Sequence, residues 1–113
     1  MTTPAVSLTD LADAQLTTAK AVPAGRSAHT VHGGGGSVLR QTVLALAAGH
    51  SLAEHDSPGE ATLQVLRGRV ALGTAAGPVT GRAGDLLVIP PDRHDLRAVE
   101  DSAVLLTVVP RPA

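Results

Sequence analysis

The sequence predicts an all-β barrel preceded by a short helix, and three observations carry that prediction. Short runs rich in Val, Leu, Ile and Thr follow one another over most of the chain. Clusters of Gly, Pro and Asp divide these runs at the spacing expected of a barrel or sandwich. Only the N-terminal region offers a capped, partly apolar helical pattern. At 113 residues the chain fits one domain, which buries roughly two-thirds of the surface that its unfolded form exposes. We assign residues 1–27 to the helix and a linker and 28–113 to the barrel, as a single domain.

Thr9 or Asp10 is the expected N-cap, with Leu11 and Leu16 on one face, so the spacing predicts a helix near 10–20 that Pro23 and Gly25 end. Strands are expected near 28–32, 37–46, 61–67, 69–73, 78–80, 85–89, 94–98 and 103–109. Gly33 to Gly36 form a loop or hairpin tip. No helix start or Lys-Ser/Thr follows them, so they do not read as a phosphate cradle. Gly81 to Asp85 make a tight turn into the run LLVIP, and Glu100-Asp101-Ser102 make a polar turn.

The runs 85–89 and 103–109 are apolar on both faces. Such strands need cover on the second face from another sheet or subunit, which predicts a homodimer. Without aromatic residues the core is packed by aliphatic side chains, and we expect Leu39, Val43, Leu63, Val65, Leu87, Ile89 and Leu105 in it.

Composition excludes several functions. Nine Lys and Arg against ten Asp and Glu leave a net charge of −1, with no basic block for phosphates, so nucleic acid is not an expected partner. The absence of Phe, Trp and Tyr removes base stacking, aromatic cages and a tyrosine acid. The absence of Cys removes disulfides and thiolate ligands, so a metal would be held by imidazole, carboxylate, hydroxyl or water, a set that suits Zn, Fe, Mn, Ni or Cu. The N-terminus lacks a charged region followed by an apolar run, and no segment approaches the ~18 apolar residues of a membrane span. We therefore expect a cytoplasmic protein with no membrane partner.

The chemistry-bearing residues lie in two segments. In the first, Gly49 is followed by His55, Ser57, Ala61 and Gly68; the second, GDLLVIPPDRH, runs from Gly84 to His94, and fifteen residues separate Gly68 from Gly84. These segments resemble the two motifs of the cupin family, and the resemblance covers residues 49–95. It implies an RmlC-like double-stranded β-helix, a jelly-roll barrel, in a small single-domain form. In that family the first motif supplies His-x-His and a Glu and the second supplies a His, all converging on one ion inside the barrel.

Here His55 matches the first ligand, but Ser57 stands for the second His and Ala61 for the Glu. The second motif would place its His at Asp95, with His94 one residue earlier, and Asp92 stands where a glycine is usual. His55 and His94 are thus the expected metal ligands, and two imidazoles with a hydroxyl make a weak site. Candidate replacement donors are Glu60, His50, Asp56, Asp95, His29 and His32. Strand parity counts against Glu60 unless its strand begins only at Ala61. His29, His32 and His50 read more simply as structural, and Arg67, Arg69, Arg82 and Arg97 as solvated charges.

The expected pocket comprises Gln41, His55, Ser57, Glu60 and His94, with Gln41 included if the set Leu39, Val43, Ala45 faces inward. The favoured reading is a pocket that binds a small molecule, with metal occupancy partial or absent. The alternative is a metal-dependent isomerase, oxygenase or lyase using one divalent transition ion on His55 and His94. A metal-free acid/base enzyme resembling the family's sugar epimerases comes third, because those typically pair the His with a Tyr, which this chain lacks.

Overall fold

Ser7, rather than Thr9 or Asp10, starts the helix. Its Oγ accepts from the Asp10 N–H at 3.2 Å, and α1 then runs over Leu8–Ala21 with Asp10 in its first turn and Lys20 in its last. Both charges suit the helix dipole. The computed structural model describes residues 3–55 and 59–111, with the backbone only at Glu54 and His55. Beyond the helix lie β1 (Arg26–His32), β2 (Arg40–Leu46), β3 (Ser51–His55), β4 (Gly59–Arg67), β5 (Arg69–Thr74), β6 (Gly77–Arg82), β7 (Leu86–Ile89), β8 (His94–Ala98) and β9 (Ser102–Pro110).

They form a five-stranded sheet, ordered β1-β2-β9-β4-β7, against a four-stranded sheet, ordered β3-β8-β5-β6. Every pairing is antiparallel. This is a jelly roll with its core between the sheets. Among the described residues no helix is long and apolar enough to cross a membrane.

Alternation along each strand decides what faces the core. On β4, Ala61, Leu63 and Val65 are buried in the inter-sheet cluster, while Glu60 and Gln64, on the alternate positions, are exposed. On β2 it is Leu44 and Leu46 that join this cluster. Ala45 points the other way and packs with Ala12, Ala19 and Ala103 under the helix, where small side chains let α1 approach the sheet closely. The odd-numbered set on β2 therefore faces outward, contrary to the condition that would have put Gln41 in the pocket.

Two other expectations need correction. Leu39 precedes β2 and is 38% exposed, so it is not core. The second face of 103–109 is covered at its Ala103 end by α1 of the same chain, not by another sheet or subunit. β7 has no such cover: Leu87 and Ile89 turn inward, whereas Leu86 and Val88 are 62% and 74% exposed.

Two ion pairs, Arg67 to Asp13 at 3.0 Å and Lys20 to Asp101 at 3.7 Å, tie the helix to the barrel. Arg67 is thus partnered rather than simply solvated. Both pairs are well exposed and contribute ~0–1 kcal/mol each. The stronger polar feature is Ser102, 1% exposed, whose Oγ accepts from the Arg69 N–H and can donate to the Arg69 or Glu100 carbonyl. Gly68, at φ +78°, makes room for it, since a Cβ there would collide with Ser102 Oγ and the Asp101 carbonyl.

Candidate functional site

His94 opens β8, and the strand's alternation carries it inward together with Leu96 and Ala98, all three buried. It is 5% exposed and lines a cavity of about 50 Å3 between the sheets. Leu44, Leu52, Leu63, Leu72 and Ile89 are among the other walls, and His94 is the one polar side chain of that lining among the described residues. Its Nδ1 lies 3.1 Å from the Asp92 carbonyl oxygen. A carbonyl can only accept, so this bond places the ring proton on Nδ1 and, in the neutral ring, the lone pair on Nε2. The Asp92 to His94 segment thereby fixes the ring's tautomer.

The backbone brings position 55 directly opposite His94 at the end of the β3–β8 ladder, after a register shift between Leu52 and His55. The His55 side chain, Ser57 and Asp56 lie outside what the structure describes. The other expected pocket residues go elsewhere. Glu60 is exposed on the outward face of β4, where it borders a shallow hollow with Thr62, Thr107 and Val109. Gln41 donates through Nε2 to Thr107 Oγ1 at 3.2 Å on that outward face. Neither can reach the cavity, because strand parity turns both away from it.

His29 and His32 are exposed on β1, and His50 is exposed in the turn before β3 with its ring over Gly25. Ala61 does face the interior, 4% exposed, and brings a methyl group where the family motif has a carboxylate. Among the described residues no three His, Asp or Glu side chains come together as a metal site. Among the described residues the cavity lining offers one imidazole amid aliphatic walls, where a tight metal centre uses three or four protein donors.

A larger hollow of about 580 Å3 lies outside the barrel, beside its mouth. It is bordered by Gly73, Thr74, Pro78, Asp92, Arg93 and Asp95, and sequence reasoning missed it. The signal for it is Gly73 opposite Asp95 in the β5–β8 pairing: without a side chain at 73, the Asp95 carboxylate settles over the glycine. Asp95 therefore lies on the outer face, and the residue at the motif's expected His position cannot serve the interior. This hollow is an open depression, whereas the smaller His94 cavity lies between the two sheets.

No protein-family profile matches this chain, and no curated protein does. Solved structures do. A conserved protein of unknown function from Streptococcus pyogenes is 28% identical, with a TM-score of 0.71 over 81% of this chain and 80% of that one. A cupin superfamily protein from Desulfitobacterium hafniense is 14% identical, with a TM-score of 0.70 over 76% and 78%. The salicylate 1,2-dioxygenase of Pseudaminobacter salicylatoxidans is 20% identical and gives 0.73 over 88% of this chain, but only 33% of the dioxygenase. At such identities the last two show shared architecture and not shared chemistry. With its two antiparallel sheets and inward second-motif histidine, this chain has the cupin-type jelly-roll fold.

Proposed function

We propose that this protein is a binding module that holds a small molecule in its barrel interior, with metal occupancy partial or absent. The observation that carries the reading is the placement of His94, a buried imidazole as the only polar group in an otherwise aliphatic cavity lining among the described residues. One oriented polar group within an apolar enclosure is the usual composition of a small-molecule site. The volume of about 50 Å3 restricts the ligand. Ordinary sites enclose ~300–1,000 Å3, so a ligand here has few non-hydrogen atoms or extends toward the barrel mouth. His55 completes the pocket in this reading, supported by its backbone register opposite His94.

The competing reading is a metal-dependent enzyme with His55 and His94 as ligands. The same register favours it, as does the architecture shared with a salicylate dioxygenase. The methyl group of Ala61 in the interior weighs against it. A cytoplasmic homodimer belongs to the proposal as well, supported by the bare outward face of β7.

Elemental analysis before and after chelation, followed by titration with Zn, Fe, Mn, Ni and Cu, separates the two readings when run on wild type, His55→Ala and His94→Ala. The binding-module reading expects substoichiometric metal in wild type. It also expects an NMR fragment screen to shift the amides of Leu44, Leu63 and His94, with the shifts lost in His94→Leu. One full equivalent of metal, absent from both alanine variants, would establish the enzyme reading instead. A screen that moves none of those amides would remove the pocket.

A further inference from the structure

The sequence holds no basic block, yet the fold assembles one. On the smaller sheet Val70, Leu72, Gly81, Leu96 and Ala98 are buried. Alternation therefore sends Arg69, Arg82 and Arg97 to the outward face, where all three are exposed. They come from three adjacent strands. Arg69 on β5 lies opposite Arg82 on β6, and Arg97 on β8 lies opposite Ala71, the next outward residue of β5. Ser51 on β3 and Thr80 on β6 extend the row of Arg97 and Ala71 to either side.

The Arg69–Arg82 pair is of the closer kind. Arg69 donates its N–H to Ser102 Oγ and accepts from the Val99 N–H, while the N–H and carbonyl of Arg82 both bond to Asp85. Their backbones thus bond elsewhere, which makes them a non-hydrogen-bonded pair, with Cα atoms ~4.5 Å apart. Like charges set directly opposite destabilise a sheet. Among the described residues no ion pair involves Arg69, Arg82 or Arg97. Carboxylates close in the fold are engaged otherwise: Asp85 Oδ2 accepts from the Arg82 backbone N–H at 3.0 Å, that of Asp95 lies over Gly73, and Asp101 pairs with Lys20.

We propose that this face binds a compact, multiply charged oxyanion of the phosphate or diphosphate class, bridged by the guanidinium groups of Arg69, Arg82 and Arg97. The planar fork of arginine matches phosphate oxygens two at a time. An anion held between Arg69 and Arg82 replaces one repulsion with two attractions. Ala71 brings only a methyl group to the middle of the face, and the hydroxyls of Ser51 and Thr80 are further donors beside it. Asp85, Asp95 and Glu100 flank the arginines and repel an extended polyanion, which favours a compact ligand over nucleic acid or an anionic membrane. This site goes beyond the interior one. It lies on the opposite face of the smaller sheet from His94, and neither needs the other.

Titration of inorganic pyrophosphate into isotope-labelled protein at low salt, followed by NMR, tests this on wild type and Arg69→Gln/Arg97→Gln. Arg26→Gln/Arg40→Gln, at two exposed arginines of the other sheet, is the control of equal charge. Circular dichroism and urea midpoints establish that each variant is folded. The expected result is a saturable shift of the Ala71 and Thr80 amides in wild type and control, with those of Leu44 and Leu63 unmoved. Affinity should fall roughly tenfold or more in Arg69→Gln/Arg97→Gln, and in wild type it should weaken as salt is raised. No saturable response in wild type overturns the site, and an equal loss in the control overturns it by reducing it to net charge. Binding of duplex DNA or of vesicles containing phosphatidic acid, with no response to pyrophosphate, overturns the compact ligand. Shifts at Leu44 and Leu63 in place of Ala71 and Thr80 would put the anion inside the barrel and overturn the outer face.

Discussion

Replacing Leu63 with Ala probes the interior on which the functional reading depends. Leu63 is 1% exposed, sits in the middle of β4 opposite Leu87 and Leu106, and is one wall of the His94 cavity. The substitution deletes three carbon atoms. At ~0.8 kcal/mol for each buried methyl or methylene, the transfer loss is about 2.4 kcal/mol. Space that fails to collapse adds ~24 cal/mol per Å3, so each further ~40 Å3 left open beside the existing cavity costs about 1 kcal/mol. The neighbouring strands are paired on both sides of β4 and cannot close in freely, so the expected total is ~3–4 kcal/mol. Urea unfolding followed by circular dichroism, fitted with a common slope, measures it. A domain of this kind has only ~5–15 kcal/mol in all, so Leu63→Val serves as the milder companion if the alanine variant is too unstable to purify. A loss below ~1 kcal/mol for Leu63→Ala would refute the packed interior, since no well-enclosed leucine is that cheap to truncate.

Three further substitutions separate the interior from the outward face and the turns. Gly68→Ala should cost ~1–3 kcal/mol or more in urea unfolding, because a side chain at φ +78° is strained and its Cβ meets the Ser102 hydroxyl and the Asp101 carbonyl. Ser102→Ala should lose ~1–3 kcal/mol, since it leaves the Arg69 N–H without its buried acceptor; an unchanged midpoint would mean that water replaces the hydroxyl. Glu60→Ala should change stability by no more than ~0.5 kcal/mol and leave the amide shifts of a bound fragment in place. A lost fragment response in that variant would show that the outward carboxylate reaches the site after all.

The barrel was legible because strand runs and turn residues coincide with the physical requirements of a jelly roll. The motif glycines show why: Gly68 and Gly84 both take positive φ, as turns at those points require. β3 escaped notice because Leu52 is the only strongly β-favouring residue in Ser51–His55, so its identity comes from pairing with β8 and not from its own pattern. The parity of β2 was not legible, since both of its faces are apolar: the helix buries one and the barrel the other. An alternating pattern would have shown that Gln41 points outward. For Glu60 the alternation was clear, and the strand begins early enough, at Gly59, to enforce it.

His94 and Asp95 show how much one residue of register decides. Adjacent residues on a strand face opposite ways, so whichever of the two enters the barrel excludes the other. The β5–β8 pairing sets Asp95 against Gly73 on the outside, and the imidazole goes in. That choice governs the chemistry available. A carboxylate between Leu63, Leu72 and Ile89 would bear a desolvation cost that the aliphatic walls cannot offset, while the imidazole that enters has its Nδ1 bonded to the Asp92 carbonyl. The same walls disfavour a charged ligand, because the described lining contains no opposite charge to pair with it. The binding-module proposal therefore expects an uncharged ligand.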